Sequence, residues 1–329
     1  MMKMHGVLRA GFCALFACGA LLAAPLSLAQ GYPNKPIKII VPYPPGGTSD
    51  ILARSLGQKL GESLGQTIVV ENKPGANGNL GADFVSKSPP DGYTVLLADI
   101  GALAISPSLY KLSFDPATDF SPVTMVAYSP HILVVHPSVP VNNTKELITL
   151  AKSKPGKLNF AASSVGSAPH LAGIDFASKA GVDWAYIPYK GGAQAITDMA
   201  GGQADVMFNG MLATYPHVKS GKLKILAVSS SKRMSAIPDV PTVAEAAGLA
   251  GFQTGSWQGV LAPPNTPKEI VARLSGEITK ILNTPEMKER LEAQGAEVST
   301  NTPEQFSTFI RDEKARWAQV VKTANLKLE

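Results

Sequence analysis

The chain has 329 residues, with 30 Lys+Arg against 25 Asp+Glu, 5 His, 2 Cys, 30 Gly and 26 Pro, and 45% of it is apolar. That apolar share excludes a disordered chain, and glycine and proline follow no collagen-like period. At roughly 150 residues per domain the length predicts two domains, each able to bury its own core.

Residues 1–29 read as an export signal. Lys3 and Arg9 form a positive start, Ala10 to Ala24 is almost purely apolar, and Ser27-Leu28-Ala29 puts small residues at the recognition positions, so cleavage is expected after Ala29. Pro25 breaks the apolar run and no stop-transfer charges follow, so the segment is too short for a transmembrane helix. Cys13 and Cys18 both fall inside it, which removes cysteine nucleophiles and cysteine metal sites from the mature chain. Lipidation of Cys18 is the alternative, because Leu15-Phe16-Ala17-Cys18 loosely fits a lipoprotein signal, with Phe16 the poor fit. Loss of Lys3 and Arg9 leaves 28 basic and 25 acidic residues, scattered in ones and twos, so no nucleic-acid footprint exists.

The first predicted strand, Ile37–Val41, runs directly into Pro42-Tyr43-Pro44-Pro45-Gly46-Gly47-Thr48-Ser49-Asp50. Gly46 and Gly47 permit a tight turn and close approach to a ligand, Thr48 or Ser49 is placed to cap the following helix, and Asp50 falls in its first turn. Tyr43 stands at the same strand end. Two readings stand for this loop: a capped strand-to-helix turn, or a site where free N–H groups attract a carboxylate or phosphate. Strands follow at Thr67–Val70, Tyr93–Leu97 and His131–Val135.

After the strand Leu158–Ala161 comes Ser163-Ser164-Val165-Gly166-Ser167-Ala168-Pro169-His170, in which Gly166-Ser167-x-x-x-Leu171-Ala172 repeats Gly47-Thr48-x-x-x-Leu52-Ala53. If the two halves face each other, both helix starts reach one cleft, which suits a small anion held by hydrogen bonds; the match is short enough to arise by chance. The strand Trp184–Ile187 leads to Tyr189, an aromatic wall with a hydroxyl, and Lys190, a cation or simply a solvated surface residue. Asn209, just past the strand Asp205–Phe208, either reaches the same cleft or makes a turn. The last strand is Lys224–Val228.

Strands alternating with helical stretches predict parallel sheets with crossover helices, an α/β class in which ligands sit beyond the carboxyl ends of the strands. Thr266-Pro267-Lys268-Glu269 and Thr302-Pro303-Glu304-Gln305 each predict a helix start with Thr at the N-cap and Pro at the first position. Phe306, Phe309, Ile310, Trp317, Val320 and Val321 then recur at helical spacing as a core stripe. If Phe252 to Leu261 returns the chain to the first lobe, two crossings form a double hinge.

Enzyme signatures are thin. There is no Gly-x-Ser-x-Gly elbow, no phosphate loop ending Gly-Lys-[Ser/Thr] and no His-Glu-x-x-His helix, and the Ser-x-x-Lys pairs Ser108/Lys111 and Ser229/Lys232 lack their companion motifs. His131, His136, His170 and His217 show no metal spacing. His170 stands apart, at a helix start in the presumed cleft, where the dipole disfavours protonation. No metal or cofactor is expected.

The chain resembles the substrate-binding proteins of tripartite tricarboxylate transporters, also called the Bordetella uptake gene family. The resemblance covers essentially the whole mature chain: Tyr32-Pro33 with Pro36-Ile37, Val41-Pro42-Tyr43-Pro44-Pro45-Gly46-Gly47 with Asp50 and Ala53-Arg54, Val70-Glu71-Asn72-Lys73-Pro74-Gly75-Ala76, Pro90-Asp91-Gly92-Tyr93-Thr94, Ile187-Pro188-Tyr189-Lys190-Gly191-Gly192, and Ile237-Pro238-Asp239-Val240-Pro241-Thr242. It implies a type II periplasmic binding-protein fold, a Venus flytrap of two Rossmann-like lobes with a ligand cleft and two hinge crossings. Lobe 1 is then 30–129 and 253–329, and lobe 2 is 130–252. It also implies a periplasmic, non-enzymatic solute-binding protein that hands a small carboxylate to membrane permease subunits, a role that suits a monomer; a ligand-sensing signalling subunit and a carboxylate-acting enzyme are the alternatives. By the same resemblance Gly47, Thr48, Ser49 and Asp50 form the first carboxylate grip, Ser164, Gly166, Ser167, Ala168 and His170 the second, and Ile100, Gly101 and Ala102 line the variable side.

Overall fold

β-Branched runs punctuated by glycine and proline turns build one mixed sheet covered by helices in the computed structural model, which describes residues 31–323. The expected export signal, with Cys13 and Cys18, lies outside the described residues. Residues 31–34 belong to a separate short unit, which contains a cis Tyr32–Pro33 peptide bond; the fold described below begins at Lys35.

The strands are β1 (Ile37–Val41), β2 (Ile68–Asn72), β3 (Thr94–Asp99), β4 (Ser121–Val135), β5 (Asn159–Ala162), β6 (Ala185–Pro188), β7 (Val206–Gly210), β8 (Lys224–Val228), β9 (Gly255–Ala262) and β10 (Glu297–Val298). The helices are α1 (Thr48–Leu64), α2 (Asn79–Ser86), α3 (Ser106–Leu109), α4 (Thr144–Ser153), α5 (Ala168–Ala180), α6 (Gly192–Ala200), α7 (Met211–Lys219), α8 (Val243–Ala247), α9 (Lys268–Leu282), α10 (Pro285–Glu292) and α11 (Pro303–Thr323).

All eight strands expected from the sequence form, but they are parallel only toward the two ends of the sheet. The order is β2-β1-β3-β9-β4-β7-β5-β6, with β8 and β10 also on β4. β1 pairs β2 and β3 in parallel, and β5 pairs β6 and β7 in parallel, whereas every pairing of β4 and β9 is antiparallel. β4 is the spine. Its first part pairs β9 from Ser121↔Ala262 to Pro130↔Gly255, and its second part, from His131 onward, pairs β7 and β8. Pro122 and Pro130 obscure the first part in sequence, and register shifts beside Pro122 and Met125 accommodate the irregularity.

The final helix begins as expected: Thr302 Oγ1 accepts from the Gln305 N–H while Gln305 Oε1 accepts from the Thr302 N–H. The expectation for Thr266 is corrected. Its hydroxyl donates to the Pro263 carbonyl, and Pro267 takes the N-cap of α9 instead. On α11, Phe306 and Ile310 are fully buried, and Phe309 and Trp317 pack against the same core, but Val320 is 38% exposed because its position has turned away from the sheet.

β9 accepts α11 through a glycine. Trp257 meets the rings of Phe306 and Phe309 at 5.9 and 5.1 Å, and a Cβ on Gly259 would lie 2.1 Å from Phe306 Cζ. Gly259→Ala therefore overpacks this seam and should cost about 1–3 kcal/mol in urea unfolding. An unchanged midpoint and slope would show that the contact is slack.

Candidate ligand-binding site

Where β4 passes from one end of the sheet to the other, four helix starts point into one cavity of about 70 Å³. At about 10–15 Å³ per water by the same measure, it holds a handful of waters or one small solute. α1 starts at Gly47, α6 at Gly191 and α7 at Gly210, none with a side-chain cap. The N–H groups of a first helical turn have no partner within the helix, so these ends present donors and a positive dipole. Some starts elsewhere are closed by side chains: α4, α8 and α10 are capped by Asn143, Thr242 and Thr284, and α11 by Thr302, whereas α2, α3 and α9 also lack a side-chain cap but do not start on this cavity.

Glycine also lets the walls meet. A Cβ on Gly191 would lie 2.7 Å from the Pro44 ring, and one on Gly210 would lie 2.6 Å from Thr48 Oγ1. Asn77 Nδ2 donates to the Gly166 carbonyl at 3.3 Å, and the Tyr110 hydroxyl donates to the Val165 carbonyl at 3.0 Å. These contacts bridge the two ends of the sheet.

Of the residues expected at a site, Tyr43, Gly47, Thr48, Ser49, Ser164, Ser167 and Asn209 line this cavity. Neither Thr48 nor Ser49 caps α1, because the helix starts one residue earlier than the capping reading needs. Ser167 does cap α5, accepting from the His170 N–H at 3.4 Å. The two loops therefore do not superpose at the helix start, since the N-cap is Gly47 in one and Ser167, not Gly166, in the other. Asn209 is held rigid, accepting from Ser163 Oγ and donating to Thr214 Oγ1, both at 3.0 Å.

The others stand off the lining. Asp50 is 3% exposed, and its carboxylate is filled by the Gly46 N–H, by Arg54 and by Asn72 Nδ2. Burial opposes its charge, but those bonds outweigh it and hold the carboxyl below its ordinary value. Gly46 and Asp50 thus brace the loop. Ala102 and Ala168 are core, Gly101 donates to Asp99 Oδ1, and Ile100 faces a separate recess beside Trp257 and Trp317. The Gly166 N–H donates to His170 Nδ1, and the His170 ring packs edge-on to Tyr186. Tyr189 packs on the core beneath α6 and α7, and Lys190 is exposed.

The sequence reading missed Asn77, Asp99, Ser163, Ser256 and Gln258, all on the lining. Asp99 ends β3, one residue before the stretch singled out, so the strand-end rule stopped just short of it. Ser256 and Gln258 alternate on β9, a period-two signal inside a segment read only as a returning connection. Ser256 is oriented by His131, whose ring nitrogens meet Ser256 Oγ and Thr254 Oγ1, both at 3.1 Å. Among the described residues, no Lys, Arg or His lines the cavity. No cluster of three His, Cys, Asp or Glu side chains able to hold a metal occurs among the described residues.

An α/β sheet with a spine strand shared between its two ends, and a solute-sized cavity at the crossing ringed by helix starts, is the architecture of a periplasmic binding protein. The chain is similar to the periplasmic binding protein BugD, at 38% identity over 90% of this chain and 100% of that one, with a TM-score of 0.86. It is also similar to an R. palustris protein solved with adipate (36% identity, 90% and 100% covered, TM-score 0.88). A third structure, MatC from Rhodopseudomonas palustris with bound malate, shares 32% identity, with 88% and 100% covered and a TM-score of 0.82. Residues 52–326 match the tripartite tricarboxylate transporter family receptor, and the chain belongs to that family. This is a family of solute-binding receptors rather than of enzymes.

Burial holds the two structural histidines of this region neutral, His131 at about 3 and His170 at about 4 against an ordinary 6.5. The unfolded chain takes up a proton at each as the pH falls below 6.5, and the fold does not. Stability should therefore be complete above that value and should fall toward pH 4, by up to about 1.4 kcal/mol per pH unit for each histidine. Urea titrations at pH 7.5 and 5 check this: His131→Asn and His170→Asn should each flatten the slope, and equal wild-type stability at both pH values would contradict it.

Proposed function

We propose that the mature chain works in the periplasm as a monomeric receptor. It closes on one small organic carboxylate and delivers it unchanged to the membrane subunits of a tripartite transporter. The observation that carries this reading is the set of glycine-ended helices around a cavity without a lining cation. Such ends favour an anion by up to about 2 kcal/mol each when partly enclosed, and they do so without a salt bridge. The adipate and malate held by the two R. palustris relatives support an organic acid.

In this reading residues 1–29 are the export signal, 30–129 with 253–329 form one lobe, 130–252 form the other, and the crossings at β4 and at the start of β9 are the hinge. The first-turn N–H groups and hydroxyls of Thr48 and Ser49 grip the carboxylate from the first lobe. Ser164, Ser167 and the starts of α6 and α7 meet it from the second. Gly46, Asp50, Gly166 and His170 shape the two loops from behind.

Protein stripped of carried-over solute by unfolding and refolding should be stabilised by about 2.7 kcal/mol when a cognate acid is present at 100 times its Kd. Calorimetric Kd values should rise about tenfold or more in Thr48→Val and in Ser167→Ala, and should change little between low and high salt, because the field comes from enclosed peptide dipoles. The compound should be recovered intact. If no mono- or dicarboxylate, aromatic acid or amino acid binds, or if both variants bind as the wild type does, the reading fails.

A further inference from the structure

The part of the cavity wall built by β3 and β9 carries chemistry opposite to that of the helix starts. Asp99 and Gln258 are register partners on these antiparallel strands, and both side chains line the cavity. Asp99 Oδ1 accepts the Tyr43 hydroxyl at 2.5 Å and the Gly101 N–H at 2.8 Å. Converging donors of this kind match an ionised carboxylate. Burial is the largest influence on Asp99 and holds it above its ordinary value, although the bonds from Tyr43, Gly101 and Ala102 favour its charged form; Tyr43 is itself held well above the ordinary tyrosine value by burial and by Asp99, so it stays protonated and keeps donating.

Gln258 is 0% exposed, and neither its amide nitrogen nor its amide oxygen has a hydrogen-bond partner in the chain. Buried amides are almost always paired, so an unpaired one on a cavity wall points to a solute or solvent partner. The neighbouring Asn77 amide is already committed, its Nδ2 donating to Ser106 Oγ and the Gly166 carbonyl. With no lining cation, a second ionised carboxylate of a bound acid would face Asp99 without a counter-charge.

We propose that Asp99 and Gln258 form a subsite for a hydrogen-bond donor, so that the cognate solute is a carboxylate that also bears a hydroxyl or ammonium group rather than a second ionised carboxylate. The inference rests on the carboxylate reading above and sharpens it. The helix starts hold the acid, Asp99 and Gln258 Oε1 accept from the donor group, and Gln258 Nε2 donates to the same hydroxyl or to an attached oxygen.

The test is calorimetric titration of stripped protein with four-carbon acids: butyrate, its hydroxy and amino derivatives at carbon 2, 3 or 4, and succinate. At least one donor-bearing acid should bind ten times or more tightly than both butyrate and succinate. Asp99→Asn and Gln258→Leu should each cut that preference, measured as the ratio of affinities for the donor-bearing acid and butyrate, at least fivefold. Gln258→Leu reports independently if Asp99→Asn folds poorly. Succinate binding as tightly as the best donor-bearing acid, or an undiminished preference in both variants, overturns the subsite and leaves carboxylate capture standing. Binding of none of these acids overturns the subsite, and failure of the aromatic acids and amino acids as well overturns the carboxylate reading with it.

Discussion

A helix start that is not capped by its own chain leaves N–H groups that need an acceptor, and this protein aims three such starts at one point. Gly47, Gly191 and Gly210 stand where a serine, threonine or asparagine would close the helix upon itself. The cost is borne locally, since a glycine cap forgoes a hydrogen bond that Asn143, Thr242 and Thr284 make at other helices of the same fold. What is gained is a fixed positive field without a mobile cation, in a cavity too small for most solutes to enter hydrated. The remaining features of the region serve to keep those ends in place.

Two buried networks do this. Asp50 ties the Gly46 turn to Arg54 and Asn72, so the first loop is rigid before any solute arrives. At the crossing, His131 joins Thr254 and Ser256 of the returning chain, and Ser229 Oγ accepts from the His131 N–H and has both the His131 and Thr254 carbonyls within reach of its one proton. The two chain crossings are thereby stitched to each other at a point that also touches the cavity through Ser256. Under the proposed closure about a solute, crossings bonded in this way would move together.

The strands with strong β-branched runs were legible because their periodicity and glycine boundaries agree, and the loops after β1, β5 and β7 were legible because ligand sites in α/β folds gather at strand ends. The long spine β4 was only half visible, because Pro122 and Pro130 interrupt the signal while its pairing with β9 supplies the missing order. Asp99, Ser256 and Gln258 were hidden for a different reason. Their importance comes from antiparallel pairing between segments far apart in sequence, which no local pattern encodes. Likewise Lys190 looked like a candidate for an anion by charge alone, yet it is exposed while the neighbouring Gly191 and Gly192 line the cavity.

The central claim is that backbone donors at helix starts, not cationic side chains, hold the acid. A crystal structure of the protein with its tightest-binding acid tests it most directly. Carboxylate oxygens at about 2.7–3.2 Å from the first-turn N–H groups of α1 and of α6 or α7, or joined to them through one ordered water, are the predicted result. A carboxylate bound to a lysine or arginine side chain, or lodged outside the cavity, would contradict it.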